Sequence, residues 1–136
     1  MKSAAEELMD YCDSKGVGKV GVTLFFTRIF DETKSRQEAI VFIDTDNGSF
    51  ARRLVGIAYE NDYVEVQIRS DTPSRAYELA TRVSTTLENI KGYVSADKTK
   101  YDYAYAQHPP RLLMYSRGDA YVYTVLYKVM RQTIRT

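Results

Sequence analysis

The last apolar stretch of the chain, residues 120–130, is the feature that most constrains its fold. In a β-strand, successive side chains point to opposite faces of the sheet. One face of this stretch would carry Tyr121, Tyr123, Val125, Tyr127 and Val129, and the other would carry Val122, Leu126 and Met130. Neither set forms a polar face, which is typical of strands that are buried on both sides. The sequence therefore predicts a strand that either the fold or a partner covers on both faces.

A C-terminal β-hairpin is predicted around this strand. Residues 111–115 form a second apolar stretch, and the polar segment 116–119, which contains a glycine, connects the two stretches. Short polar segments with glycine are typical of hairpin turns. The preceding segment 108–110 contains two prolines and interrupts any regular structure, because proline cannot donate a backbone hydrogen bond to a sheet.

Two helices are predicted from apolar positions three and four residues apart. The first spans about residues 2–15, with Ala5, Leu8, Met9 and Cys12 on its buried face, and Gly16 ends it. Its four acidic residues are expected mostly to face away from the core: Glu6, Glu7, Asp10 and Asp13.

The second helix is predicted over about residues 73–91. Thr72 is expected to cap its N-terminus, and Pro73 suits the first helical position. Gly92 is expected to end it. The apolar stripe of this helix comprises Ala76, Leu79, Ala80, Val83, Leu87 and Ile90.

Further strands are predicted before the second helix. Residues 20–30 alternate between apolar and polar positions, and residues 39–43 form a short apolar run. Residues 63–69 alternate most regularly, after Asn61 and Asp62, which we expect to interrupt the chain. The tyrosine-rich segment 93–108 is interpreted as a loop. Together these elements predict an α+β fold with one mixed, mainly antiparallel sheet packed against two helices.

Composition restricts the classes of function. The 136 residues suffice for one domain, so we expect residues 1–136 to fold as a unit. Nineteen basic and 18 acidic residues give a formal charge of +1, which argues against nucleic-acid binding through net charge. With one cysteine, no internal disulfide is possible. The acidic start is unlike a targeting signal, and no apolar run is long enough to span a membrane.

A search for reactive motifs yields no catalytic, cofactor-binding or metal-binding residues. Cys12 and His108 are the only thiol and imidazole, and nothing in their positions predicts that they meet. Residues 44–48 superficially resemble a calcium loop, but the glycine falls at the fifth position and Val55 stands where the loop requires glutamate. We interpret that segment as a polar turn.

The abundance of tyrosine indicates an interface instead. Twelve tyrosines exceed what one small core requires, and tyrosine and arginine are favoured at binding hot spots. The candidate interface residues are Arg52, Arg53, Tyr101, Tyr103, Tyr105, Arg117, Tyr121 and Tyr123. Charge is also polarised along the chain, with an acidic N-terminus and a basic C-terminus. Opposed ends of this kind suit head-to-tail contacts between copies.

The pattern resembles the tail terminator family of long-tailed bacteriophages, also described as tail completion, head–tail joining or minor capsid proteins. The resemblance rests on the strand 64–69, which leads into the helix opening 75–80, and on its A-x-x-L-A spacing. It continues through the segment 109–115, the Arg-Gly-Asp turn 117–119 and the aromatic strand 121–125.

This resemblance implies a structural role without a reaction or a cofactor. Members of the family form a ring, commonly a hexamer, that caps the tail tube, ends its polymerisation and joins the head connector. The implied partners are other copies of the chain, the major tail tube protein and the head-completion protein, with DNA only passing through the ring and no membrane. The implied location is the head–tail interface of the virion, after assembly in the host cytoplasm.

Two other classes of function compete with this interpretation. The first is a small nucleic-acid-binding module, in which tyrosines stack on bases and arginines contact phosphates. Its candidate residues are Tyr63, Tyr121, Tyr123, Arg69, Arg111 and Arg117. The second is a small α+β enzyme that uses a carboxylate pair drawn from Glu60, Asp62 and Glu65. No spacing among these carboxylates points to a substrate.

Overall fold

The computed structural model describes residues 3–26, 38–45, 49–50, 59–116 and 120–133. They form two helices and one sheet, which confirms the predicted α+β class. The helices are α1 (Ala4–Ser14) and α2 (Pro73–Glu88). The strands are β1 (Leu24–Phe26), β2 (Ala39–Asp44), β3 (Ser49–Phe50), β4 (Tyr59–Ser70), β5 (Thr99–Ala106), β6 (Arg111–Ser116) and β7 (Ala120–Thr133).

The sheet has the strand order β1-β2-β4-β7-β5, with β3 paired to β4 and β6 paired to β7. Only the β1–β2 pair is parallel among the described strands. Strand β7 pairs with β4 along nearly its whole length, and its other edge is shared by β5 and β6. The strand that lacks a polar face in sequence is therefore an interior strand of the sheet, paired on both edges.

One register row crosses the sheet from β1 to β6. It comprises Leu24, Ile40, Ile68, Tyr123 and Leu112, each opposite the next. Four strand spacings of about 4.8 Å separate its ends by roughly 19 Å. Strand β1 lies at one edge of the described sheet, and β5 and β6 lie at the other.

Both helices pack on one face of the sheet. Strand β4 shows why, because Val64, Val66 and Ile68 are fully buried on that face while alternate residues are half-buried on the other. The same core contains the apolar stripes of both helices. A smaller cluster on the opposite face contains Phe25, Ala39 and Val41.

The start of α2 and the end of α1 follow the predicted signals, but the predicted end of α2 at Gly92 is wrong. The helix ends at Glu88 with Asn89 as its C-cap, because the Asn89 and Ile90 N–H groups bond to carbonyls three residues back instead of four.

The hydroxyl of Thr72 accepts a hydrogen bond from the Arg75 N–H, with proline in the first turn of α2. Ser3 caps α1 in the same way, and Gly16 follows that helix with a φ of 78°, which glycine adopts without strain. Among the described residues, no helix is long and apolar enough to cross a membrane.

The predicted strand 20–30 is wrong over residues 21–23, which form a turn before β1. The reason is local, because Gly21 has a φ of 84° and the Lys19 carbonyl accepts three backbone hydrogen bonds. The rest of this predicted strand, residues 27–30, lies outside the described part of the chain, as do residues 46–48 of the predicted polar turn and residues 54–58. The predicted strand 39–43 and the C-terminal hairpin are confirmed, although residues 117–119 of its turn also lie outside.

Two further predictions are wrong because of pairing with β7. Asn61 and Asp62 do not interrupt the chain but lie within β4, opposite Met130 and Val129. The predicted loop 93–108 contains the strand β5. At Asn61 and Asp62, sheet pairing overrides a weak strand propensity, because propensity in sheets depends strongly on context. The tyrosines of β5, in contrast, favour a strand, and the prediction does not use this signal.

Candidate interaction surfaces

The candidate interface residues fall into three groups in the structure. Arg52, Arg53 and Arg117 lie outside the described residues. Tyr101 is buried in the core, so its side chain offers no surface to a partner in this fold. The half-buried or exposed candidates divide between the two faces of the sheet: Tyr103, Tyr105, Tyr121 and Tyr123.

Tyr101 forms a buried polar cluster with Glu7 and Arg131. Its hydroxyl donates to Glu7 Oε1 at 2.7 Å, and Arg131 Nη1 donates to the same oxygen at 3.2 Å. Burial, followed by the hydrogen bond to the Glu7 carboxylate, raises the pKa of Tyr101 above its ordinary value. The cluster joins α1 to β5 and β7 through a fully desolvated carboxylate.

The burial of Glu7 corrects the prediction that the acidic residues of α1 mostly face away from the core, because this side chain is only 3% exposed. Arg131 and Tyr101 compensate the cost of removing its charge from water. The helical spacing in the sequence already points to this position. Glu7 lies three residues after Ala4 and four before Tyr11, and the structure buries both of these residues.

A β-bulge explains why the alternating tyrosines of β5 separate. The register of β5 against β7 shifts between Tyr101 and Tyr103. Tyr101 stands opposite Arg131 on the helix side, whereas Tyr103 stands opposite Met130 and Tyr105 opposite Lys128 on the other face. Plain alternation would place all three rings together, and the extra residue of the bulge turns the strand over.

The face away from the helices, which we call the outer face, carries a mixed aromatic and polar surface. The rings of Tyr103 and Tyr105 lie 4.9 Å apart there. The same face carries Tyr63 opposite Lys128, and Glu65, which accepts a hydrogen bond of 2.9 Å from Gln67. Half-buried tyrosines interspersed with polar groups are characteristic of protein interfaces. The outer face around Tyr63, Tyr103 and Tyr105 is thus a candidate interaction surface.

A second surface lies on the helix side, at the β6 edge. The exposed ring of Tyr77 packs edge-on against Tyr123 with centroids 6.1 Å apart, and the exposed Leu112 stands opposite Tyr123. Beside them a groove of about 480 Å³ runs between α2 and the segment that joins β5 to β6. Its lining comprises Thr81, Ser84, Thr85, Glu88, Ala106, Gln107, His108, Pro109 and Pro110.

His108 has a structural role in this groove. Its Nε2 accepts a 3.3 Å hydrogen bond from the Leu126 N–H, so its Nδ1 carries the proton that reaches the Pro109 carbonyl at 2.7 Å. The ring therefore ties the segment 107–110 to β7. The hydroxyls of Ser84 and Tyr127 are likewise bonded to each other across the base of the groove.

Burial determines the protonation of the cysteine of this chain. Cys12 is buried as predicted, and burial raises the pKa of its thiol to about 12, which keeps it protonated at neutral pH. No cluster of three or more His, Cys, Asp or Glu side chains within those residues could hold a metal ion.

The described residues of the nucleic-acid hypothesis do not converge, and the side chains of Glu60 and Asp62 in the enzyme hypothesis lie outside the described part. Tyr63 and Arg69 lie on the outer face of β4, whereas Tyr123 contacts α2 on the helix side, so the tyrosines of the nucleic-acid hypothesis form no single stacking platform. Arg111 is exposed on the edge strand β6. For the enzyme hypothesis, the Glu65 carboxylate is engaged by Gln67.

Comparison with solved structures gives a likeness over nearly the whole chain. No protein-family model and no curated protein matches the sequence. The structure is similar to a chain in the virion of a native gene transfer agent particle, with a TM-score of 0.62. The likeness covers 96% of this chain and 95% of that chain, at 10% sequence identity. The two chains therefore share a fold over essentially their full lengths.

Proposed function

We propose that this chain is a structural component of a phage-like virion, and that within the virion it is the tail terminator. The observation that carries the first step is the shared fold with a chain of a gene transfer agent virion, which extends over 96% of the sequence.

The surfaces support the more specific role. A terminator needs contacts to its own copies, to the tail tube and to the head connector. The outer face, with Tyr103, Tyr105 and Tyr63, and the groove beside α2 provide two separate surfaces on opposite sides of the sheet. We infer that the copies form a closed ring, as the resemblance to the terminator family implies, with DNA passing through its opening.

Electron microscopy of the purified protein and of particles tests this proposal. We expect rings of the purified protein, and labelled protein at the junction between head and tail. Deleting its gene from the virus or element that carries it is expected to give overlong tail tubes and heads without tails. Normal tails and an undiminished yield of infectious particles after deletion would contradict the terminator role.

A salt-dependent assay of binding to short DNA provides the matched test of the competing function. A phosphate-binding module loses affinity steeply as salt rises, because binding releases counterions from the DNA. We expect no measurable affinity for short DNA at physiological salt. Tight, salt-dependent binding by the isolated chain would favour the nucleic-acid hypothesis over the structural one.

A further inference from the structure

The turn at residues 19–23, which we call the valine turn, presents two exposed aliphatic side chains. Val20 is 41% exposed and Val22 is 52% exposed. The Lys19 carbonyl accepts hydrogen bonds from the backbone N–H groups of residues 22, 23 and 24 at 3.0–3.1 Å. Gly21 supplies the left-handed conformation that closes the turn.

The valine turn is held rigidly against its surroundings. The Asp13 carboxylate accepts a 3.1 Å hydrogen bond from the Val20 N–H, and the Thr23 hydroxyl accepts one of 2.9 Å from Lys19 N–H. Gly18 permits this approach, since a Cβ there would collide with Thr23 Oγ1 and lie 2.9 Å from a Leu24 methyl. A turn ordered in advance loses little conformational entropy when a partner buries it.

The groove beside α2 offers a surface of matching chemistry. Its apolar lining residues are Ala106, Pro109 and Pro110. Glu88 also lines the groove and carries the only negative charge among its lining residues. Glu88 lies seven positions after Thr81 along α2, a rise of about 10 Å.

The valine turn and the groove lie at opposite edges of one sheet. The turn leads directly into Leu24 of β1, and Leu112 of β6 ends the same register row. Within one molecule the two sites therefore face away from each other. A contact between two different patches of identical copies is heterologous, and contacts of this kind close into rings when the rotation between copies permits.

We propose that the valine turn of one copy of this chain docks into the α2 groove of the next copy. Val20 and Val22 pack against the apolar lining residues Ala106, Pro109 and Pro110, and Lys19 pairs with Glu88. This contact deepens the proposed function, on which it rests, by assigning the surfaces that join neighbouring subunits. The opposite charges of the exposed Lys19 and Glu88, and the exposure of both valines, support a second copy as the occupant.

Charge exchange between Lys19 and Glu88 tests the pairing. Lys19→Glu and Glu88→Lys are each expected to weaken self-association about tenfold, because like charges then face each other. The variant that carries both substitutions is expected to recover most of the loss.

Val22→Asp is expected to weaken association more strongly still, and Val94→Asp, at an equally exposed valine away from both patches, is the control. Sedimentation measures association, and circular dichroism verifies that each variant folds.

Disulfide cross-linking tests the same contact directly. The single native cysteine is buried, so it contributes little background. A chain with Val22→Cys and Thr81→Cys is expected to form a ladder of covalent oligomers, both when purified and within assembled particles. A chain with Val94→Cys and Thr81→Cys is expected to form none.

The outcomes separate this contact from the proposed function. Charge rescue together with the ladder supports the docking. Two results together overturn the docking and leave the terminator role standing. Rings form normally with Lys19→Glu and with Val22→Asp, and the chain with Val22→Cys and Thr81→Cys gives no ladder. Copies that never associate, in solution or in particles, overturn both proposals.

Discussion

The two faces of strand β4 differ in how far their side chains are buried. Toward the helices, Val64, Val66 and Ile68 have no exposed surface, whereas toward the outer face Tyr63 and Glu65 are half-buried. On the helix side the helices of the chain cover this strand, whereas on the outer face Tyr63 and Glu65 keep part of their surface. Toward β1 the outer face also carries buried residues, Phe25, Ala39 and Val41. We infer that the helix side contributes most to folding, and that the half-buried part of the outer face on β4, β5 and β7 is a candidate for assembly contacts.

The largest effect on the helix side is expected at the buried cluster of Glu7, Tyr101 and Arg131. Glu7→Ala leaves the Arg131 guanidinium buried without its carboxylate, which should lower the free energy of unfolding by about 3–5 kcal/mol. Urea denaturation measures the change.

The matched control replaces both charges, as Glu7→Leu with Arg131→Met. Because no unpaired charge stays buried, this pair should cost far less than either single substitution. A Glu7→Ala variant as stable as the native chain would show that the carboxylate contributes nothing, and the distinction between the two faces would lose its strongest support.

Alkaline pH should lower the free energy of unfolding because of Cys12, which is buried on the helix side. The folded pKa of this thiol is about 12 against an ordinary value near 9, so the folded chain retains a proton that the unfolded chain loses. The stability from this group is complete below pH 9 and is lost as pH rises toward 12. Between pH 8 and pH 10 the free energy of unfolding should fall by about 1.4 kcal/mol from this cause.

Urea denaturation at several pH values measures this dependence. Cys12→Ala should flatten the curve over that range, while the dependence due to the buried tyrosines stays at higher pH. If the native chain and the Cys12→Ala variant show the same pH dependence between pH 8 and pH 10, then burial does not raise the pKa of the thiol as described.

Sequence periodicity predicts the helix side well because burial there follows the geometry of single elements. The stripe of α2 and the alternation of β4 need only the positions of apolar residues, and both are confirmed. Glu7 is missed because its partners Tyr101 and Arg131 are about a hundred residues away in sequence. Likewise, Tyr101 and Tyr103 lie on opposite faces of the sheet because of a β-bulge, and the alternation of residue types does not predict where a bulge occurs.

On the outer face, substitutions should affect assembly more than folding. Tyr103→Ser together with Tyr105→Ser should cost only about 1 kcal/mol of stability, the scale of a contact between two aromatic rings. Assembly into particles is expected to fall severely, because tyrosines often carry interface energy. Val94→Ser, at another exposed apolar residue, is the control. A stability loss as large as that of Glu7→Ala would mean that the outer face belongs to the folding core.

The smallest effect on stability is expected from Arg52→Glu with Arg53→Glu, two residues outside the described part of the chain. Arginine is mostly exposed in proteins, and we expect the same of this pair. Substitutions of exposed residues usually change the free energy of unfolding by less than about 0.5 kcal/mol. Reversing both charges should nevertheless impair joining to the tail tube, because charge complementarity guides association and excludes mismatched surfaces. The yield of infectious particles and urea denaturation are measured together, with Arg82→Glu on the exposed side of α2 as the control. An unchanged yield would remove this arginine pair from the interface, and the search for the tube-binding surface would then concentrate on Tyr103 and Tyr105.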